Sequence, residues 1–304
     1  MNTLIIKQLD EQLLTDAANF ISVQQKNDSQ FVAWLGYSTD EIKQQLMDLK
    51  PSYKENCLVA ISNDTICGFL GAYRSEEQAV IRLLGPYVDS EKSFLEISKQ
   101  LVAQMMDSIG KPYKLVKTAF YEANKNCGLL FEANGFELYN AEKTLIIEKL
   151  DISNLVIPFD DQVNFAFYEQ SDFDSFASLH PTNAYYSASE VVEKLNIDNQ
   201  LILAKINDVA IGYVYFELLK SDQFAEICFL NVNSGYRSRG IGSMLIGKAV
   251  HESFKNLWIN AIQISVRVEN KKAKNLYTRV GFKEKNTIFA YQRDLENDPW
   301  ENIR

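Results

Sequence analysis

Residues 226–245 read Glu226-Ile-Cys-Phe-Leu-Asn-Val-Asn-Ser-Gly-Tyr-Arg-Ser-Arg-Gly-Ile-Gly-Ser-Met-Leu245, and they carry the main structural signal of the chain. The apolar run from Ile227 to Val232 predicts a strand, and apolar residues from Ile241 onward recur at helical spacing. The loop between them holds two glycines and two arginines. Because a helix N-terminus presents unpaired N–H groups and partial positive charge, this loop predicts a site for an anion such as a pyrophosphate.

Two interpretations of this loop stay open on its residues alone. Gly240 and Gly242 either let a phosphate approach the backbone or merely form a turn, while Arg237 and Arg239 either bind the anion or are solvated. The loop lacks the third glycine of a dinucleotide-binding fingerprint and the Gly-Lys-Ser/Thr of a P-loop. These two classes of nucleotide site are therefore excluded.

The residues that follow predict a strand, a helix and a closing strand. Apolar and polar residues alternate over residues 262–268, which is typical of a half-buried strand. Apolar residues at helical spacing begin at Ala273, and Gly281 stands where a left-handed C-cap is needed. Residues 288–295 predict the last strand. This order predicts the α+β class, with a mixed, mostly antiparallel central sheet flanked by helices.

The two halves of the chain resemble each other at a nearly constant spacing. Apolar runs flank Asn63-Asp64 in the first half and Asn207-Asp208 in the second, 144 residues later, and each pattern predicts a hairpin. Gly135-Phe136 recurs 146 residues later as Gly281-Phe282. Two matches in the same order favour a duplicated fold. We therefore expect domains at residues 1–150 and 151–304.

Three blocks of the second half together resemble the acetyl-CoA-binding signature of the GNAT superfamily of N-acetyltransferases. They are Arg237-x-x-Gly240-x-Gly242 after Leu230-x-Val232, then Asn270-x-x-Ala273-x-x-x-Tyr277, then Gly281-Phe282. The resemblance is good over residues 202–295 and weak in the first half. It implies a tandem GNAT protein that uses acetyl-CoA as co-substrate and needs no metal.

The resemblance also implies which residues bind acetyl-CoA. Backbone amides of the loop would hold the pyrophosphate, and the edge of the strand at Leu230 and Val232 would bind the pantetheine arm as an added strand does. The N–H of Leu230 would also stabilise the oxyanion. The full expected set is Leu230, Val232, Arg237, Ser238, Arg239, Gly240, Ile241, Gly242, Ser243, Asn270 and Ala273.

Catalytic roles are expected for Tyr277 and Glu226. In the family, the counterpart of Tyr277 often protonates the departing thiolate, although this tyrosine also lies on the apolar stripe of its helix and could serve only in packing. Glu226 interrupts an apolar strand and could take the proton of the amine through water, or it could face solvent at a strand edge. Glu217 and Tyr213 are the reserve candidates for the base. His180 could line the acceptor pocket, although a histidine in a loop is more often exposed.

The first half has lost the residues that carry this chemistry. Glu91-Lys-Ser-Phe-Leu-Glu96 stands where the second half has Arg237 to Gly242, so both glycines and both arginines are replaced. Val80 stands in place of Glu226, and Phe131 in place of Tyr277. We therefore expect residues 1–150 to form a degenerate GNAT-like domain without catalytic activity.

Composition limits the remaining choices. The chain is 46% hydrophobic and 23% charged, as in an ordinary globular protein, and its net charge of −9 opposes binding to nucleic acid. Four dispersed cysteines and two histidines make a poor set of metal ligands. No apolar run is long enough for a membrane span, so we expect a cytoplasmic monomer or homodimer that acts on no membrane.

Two functions from different classes remain after this reading. The first is an N-acetyltransferase that moves an acetyl group from acetyl-CoA directly to an amine of a small molecule or peptide. The second is a non-catalytic acyl-CoA-binding regulatory module, which would keep the loop but tolerate loss of the base and the acid.

Overall fold

A computed structural model describes residues 4–89, 92–109, 112–155, 157–182, 184, 186–220 and 223–296. The chain forms two compact units. Unit 1 comprises Met1–Ala141 together with Asn286–Arg304, and unit 2 comprises Glu142–Lys285. None of the helices in the described residues is long and apolar enough to cross a membrane.

Unit 1 is built on a sheet flanked by helices, and one of the strand pairs in its described residues is parallel. Its strands are β1 (Ile5–Gln8), β2 (Cys57–Ser62), β3 (Thr65–Ser75), β4 (Val80–Val88), β5 (Leu115–Tyr121), the first part of β6 (Glu137–Glu148) and most of β12 (Lys283–Asp294). Its helices are α1 (Leu14–Gln25), α2 (Thr39–Met47), α3 (Tyr53–Asn56), α4 (Phe94–Asp107) and α5 (Lys125–Ala133). The order β1-β2-β3-β4-β5-β12 is antiparallel except between β4 and β5.

Unit 2 repeats this arrangement. Its strands are the remainder of β6, then β7 (Asn164–Phe167), β8 (Asn199–Ile206), β9 (Val209–Leu219), β10 (Phe224–Val232) and β11 (Ala261–Arg267). Its helices are α6 (Phe173–Leu179), α7 (Ala188–Glu193), α8 (Ile241–Phe254) and α9 (Lys271–Val280). The order is β6-β11-β10-β9-β8-β7, and β10 runs parallel to β11. The expected α+β class and the repeat are confirmed.

Both predicted hairpins are present, and their turns explain the repeated Asn-Asp pair. Asn63, Asp64, Asn207 and Asp208 all have positive φ, between 48° and 62°. A two-residue turn with positive φ at both positions matches the twist of paired strands, and Asn and Asp tolerate that conformation better than most residues.

The compact units do not follow the single boundary expected at 150/151. Glu142–Glu148 of β6 pairs with β11 of unit 2, whereas Ile288–Asp294 of β12 pairs with β5 of unit 1. Each closing strand therefore belongs largely to the sheet built by the other repeat. The sequence predicts a strand at residues 288–295, but the partner of a strand is set by tertiary packing.

The core of unit 2 lies between the sheet and α8. Leu245, Ile246 and Val250 of the helix pack with Val214 and Phe216 of β9. Residues Tyr213 and Tyr215 alternate with these and face the opposite side, where they pack with α6 and α7. The two faces of the sheet thus present different surroundings to the loop that follows β10.

Candidate active site

Strands β10 and β11 separate after Ile227, next to the predicted binding residues Leu230 and Val232. They pair from Phe224 to Ile227 on β10 and from Ala261 to Ile264 on β11, and no further pairing between them occurs among the described residues. A bulge at Cys228 shifts the register of β10 against β9. Because a bulge bends its strand, β10 continues away from β11 and leaves an opening between them.

The amide of Leu230 points toward this opening. The N–H of Asn233 donates to the carbonyl oxygen of Ile211 on the β9 side, at 2.8 Å. Since alternate residues of an antiparallel strand direct their N–H groups to opposite neighbours, Leu230 and Val232 direct theirs to the side of β11. The N–H of Val232 donates to Oδ1 of the neighbouring Asn231 at 2.9 Å. Leu230 is therefore the better placed of the two predicted donors.

The loop ends in a helix N-terminus built on a left-handed glycine. Gly240 is the N-cap of α8 with φ of 81°, and a Cβ at this position would lie 2.8 Å from Cγ of Pro158. Ser238 also has positive φ, at 63°. The 14-residue helix begins at Ile241, so the N–H groups of Ile241, Gly242 and Ser243 lie in its first turn, which has no intrahelical acceptors.

Gly242 has a second reason to be glycine. A Cβ there would lie 3.1 Å from Cδ2 of Leu276, tighter than most real contacts. Gly242 is therefore also required for the close packing of α9 on the first turn of α8, which the sequence alone did not indicate.

The two arginines of the loop have different partners. Nε of Arg237 donates to the carbonyl oxygen of Val232 at 2.9 Å, so this side chain ties the loop back to the end of β10. Arg239 lies 3.4 Å from the carboxylate of Asp160 and over the ring of Tyr236. Arg239 is partly exposed. A phosphate that binds Arg239 would have to compete with the carboxylate of Asp160.

Asn270 and Ala273 lie at the start of α9. The side chain of Asn270 accepts from the N–H of Ala273 at 3.1 Å and so caps the helix. Asn124 caps α5 in the same way through Cys127, at 3.2 Å. Capping explains why the asparagine occurs in both repeats, independently of any contact with a ligand.

Tyr277 is 7% exposed and packs in the core between α8 and the sheet. Its ring centre lies 6.4 Å from that of Phe282. Burial raises the pKa of Tyr277 to about 12, so its hydroxyl remains protonated at neutral pH. A buried tyrosine that holds its proton fits the packing role and the acid role alike, so the acid role stays a prediction.

Glu226 lies on the opposite face of the sheet from Tyr277. Its strand neighbours Ala225 and Ile227 point into the core with α8, so the Glu226 side chain points to the face that carries Tyr215 and Glu217. Glu226 stands directly opposite Glu217 on β9. Burial, and then the carboxylates of Glu217 and Glu142, raise the pKa of Glu226.

A group of aromatic side chains adjoins these acids. His180 is 7% exposed, contrary to the expectation for a loop histidine, because its Nδ1 and Nε2 lie 2.8 Å from the Tyr213 hydroxyl and the Tyr186 carbonyl oxygen. Phe229 packs edge-on against the His180 ring at 4.9 Å. Sequence reasoning missed Tyr215, although its period-two spacing from Tyr213 and Glu217 places all three on one face.

Within the residues described, no group of three or more histidine, cysteine, aspartate or glutamate side chains is arranged to hold a metal ion.

Comparisons with known proteins agree with the fold. The profile of the Acetyltransferase (GNAT) family matches residues 165–282. An uncharacterized N-acetyltransferase of Methanocaldococcus jannaschii is 27% identical over 162 residues, which cover 52% of this chain and 69% of that protein.

Two solved structures match nearly the whole chain at low sequence identity. A GCN5-related N-acetyltransferase from Sphaerobacter thermophilus has a TM-score of 0.72 at 13% identity, over 96% of both chains. A tandem GNAT protein from the clavulanic acid biosynthesis pathway has a TM-score of 0.70 at 10% identity, over 96% of this chain and 98% of the other. The chain thus has a tandem GNAT fold, and residues 165–282 belong to the GNAT acetyltransferase family.

Proposed function

We propose that unit 2 transfers an acetyl group from acetyl-CoA directly to an amine of a small molecule or peptide. The opening between β10 and β11, next to the glycine-capped N-terminus of α8, carries this proposal. The pyrophosphate would bind the first-turn amides of α8, and the pantetheine arm would lie along the β10 edge at Leu230.

The placement of the two titratable side chains fits direct transfer. Tyr277 lies on the α8 face of the sheet and Glu226 on the Tyr215 face, with the opening of the sheet between β10 and β11. The thioester would enter from the first face and the amine from the second. Acidic Glu217 and Glu226 on the second face favour an acceptor that arrives as an ammonium ion.

The proton transfers balance with these two groups. Glu226 accepts a proton from the ammonium through water, and the free amine attacks the thioester carbonyl carbon. The Leu230 N–H donates to the oxyanion that forms. Collapse breaks the carbon–sulfur bond, and Tyr277 gives its proton to the departing thiolate. The new amide nitrogen then loses its second proton, which returns through water to Tyr277, and Glu226 releases the first proton to solvent.

Measuring CoA release tests this function. Purified protein with acetyl-CoA should release free thiol when an accepted amine is present, and mass spectrometry should find that amine heavier by one acetyl group. The panel should include aliphatic diamines, amino sugars, amino acids and peptide N-termini. Tight binding of acetyl-CoA, with no free thiol released for any amine of the panel, would favour the regulatory module instead.

We propose that unit 1 keeps the fold but not the chemistry. Among the described residues, its strands β4 and β5 likewise pair at their start alone, from Val80 to Arg82 on β4. In unit 2, Asn231 pairs with Tyr213, and in unit 1, Tyr87 pairs with Phe69 at the corresponding position. The preceding residue is Leu230 in unit 2 and Pro86 in unit 1. Proline has no N–H, so unit 1 lacks the donor that would bind pantetheine and the oxyanion.

The same register places Arg82 at the position of Glu226, because Arg82 pairs with Tyr73 as Glu226 pairs with Glu217. The expectation that Val80 stands there is therefore wrong.

Two other differences in unit 1 act in the same direction. Phe131 is fully buried where unit 2 has Tyr277, and Glu96 lies in the first turn of α4. Glu91, the other acid expected near this helix, lies outside the described residues.

Isothermal titration of the full chain with acetyl-CoA should therefore give one site per chain. The reason is that Pro86 and the acidic start of α4 remove the binding groups from unit 1. The Gly240→Val chain should give no site, because only unit 2 carries this loop. Two equivalents bound by the unaltered chain would contradict the assignment of unit 1.

A further inference from the structure

The side chains around Glu226 form an ordered set. Glu217 stands directly across from Glu226 on the antiparallel strand, and Gln263 stands beside it on the parallel strand. The Tyr215 hydroxyl donates to Oε1 of Glu217 at 2.7 Å. Glu217 on β9 and Glu142 on β6 are the charged groups that act on Glu226. Tyr215, which bonds to Glu217, is itself close to Cys228 on β10 and Tyr186 before α7.

Two carboxylates directly opposite on adjacent strands repel each other, and the arrangement costs stability. Long glutamate side chains normally reduce this cost by turning apart into water. Here the hydrogen bond from Tyr215 holds one of them in place, and Tyr215 itself is fully buried and cannot follow. The fold thus fixes a negative charge next to Glu226.

We propose that Glu217, held by Tyr215, is a positioning residue that makes Glu226 a stronger base for the acceptor amine. The inference rests on the proposed function, in which Glu226 takes the proton. The fixed negative charge of Glu217 disfavours a second charge at Glu226, which therefore binds a proton more readily. The direction of the Glu226 pKa, raised by burial first and by Glu217 next, agrees with this arrangement.

A comparison of Tyr215 with Tyr213 distinguishes this role from simple packing. Tyr213 lies two residues before Tyr215, on the same face and equally buried. Its hydroxyl bonds to Nδ1 of His180 at 2.8 Å and not to a carboxylate. Removal of either hydroxyl changes packing to a similar degree, but only the Tyr215 hydroxyl is tied to Glu217.

Carbon-13 NMR of the full chain, labelled at the glutamate carboxyl carbons, tests the proposal without an acceptor. The signal lost in Glu226→Gln identifies Glu226. Its titration midpoint should move to lower pH in Glu217→Gln, because the neighbouring negative charge is gone. It should move in the same direction, but less, in Tyr215→Phe, and stay in place in Tyr213→Phe. Glu217→Asp, which keeps the charge, should restore most of the original midpoint.

An unchanged Glu226 midpoint in Glu217→Gln would overturn the proposal, as would an equal drop in Glu217→Asp. Failure of the proposed function would show in a different measurement, the rate of acetylation. If Glu226→Gln acetylates amines at the rate of the unaltered chain, Glu226 is not the base, whatever its titration shows.

Discussion

Replacing Tyr277 with phenylalanine is expected to lower kcat for amine acetylation by about a hundredfold, the lower end of what a general acid contributes. The ring would still pack beside Phe282, so the fold should persist. The thiolate would then leave without a proton donor. Binding of acetyl-CoA should change little, because the loop and the first turn of α8 are untouched. Steady-state rates and a binding titration on the same preparation check both statements.

Tyr291→Phe is a suitable control. Tyr291 is a buried tyrosine of unit 1 whose pKa is also raised to about 12, first by burial and then by its hydrogen bond to Glu132 at 2.8 Å. Its loss should lower stability by roughly 1 kcal/mol and leave turnover intact. Full activity of Tyr277→Phe would show that Tyr277 serves only in packing.

Replacing Glu226 with glutamine is expected to lower kcat/KM by about a hundredfold or more at neutral pH, because the ammonium then has no nearby acceptor for its proton. The amide keeps the size of the side chain beside Gln263 and Glu217. Initial rates over a range of pH, with the acetylated amine as product, give the comparison. Acetyl-CoA affinity should again be preserved.

The pH profile of the unaltered chain carries the same prediction. Burial raises the pKa of Glu226, and its base form exists above that pKa. The value of kcat/KM should therefore fall as the pH drops through the raised pKa, at a higher pH than an ordinary glutamate would require. Glu226→Gln should lose this acid limb. An acid limb that survives in Glu226→Gln would assign the proton transfer to another group.

Much of the fold could be predicted from the sequence, because many of its features depend on neighbouring residues. The Asn-Asp turns, the glycine at the end of α9 and the alternation along β11 each require a particular backbone at a particular residue. The loop from Arg237 to Gly242 is equally local, since a helix N-terminus and its glycines are contiguous in sequence. Such features are encoded within a few residues of where they act.

What the sequence did not indicate depends on partners that are far away in the chain. The partner sheets of β6 and β12, the packing of Leu276 on Gly242, and the Tyr215–Glu217 pair beside Glu226 arise only when distant strands meet. Pro86 is informative for the same reason. Its meaning appears only when the register of β4 places it at the position of Leu230.

The thermal midpoint of the full chain, with and without acetyl-CoA, tests the central claim most directly. At a hundred times its dissociation constant, acetyl-CoA should stabilise the chain by roughly 2.7 kcal/mol, a rise of a few degrees. Gly240→Val should lose the rise, whereas Gly135→Val, which places the same strain on a left-handed glycine of unit 1 (φ 72°), should keep it. No rise for the unaltered chain at millimolar acetyl-CoA would contradict an acetyl-CoA site in unit 2.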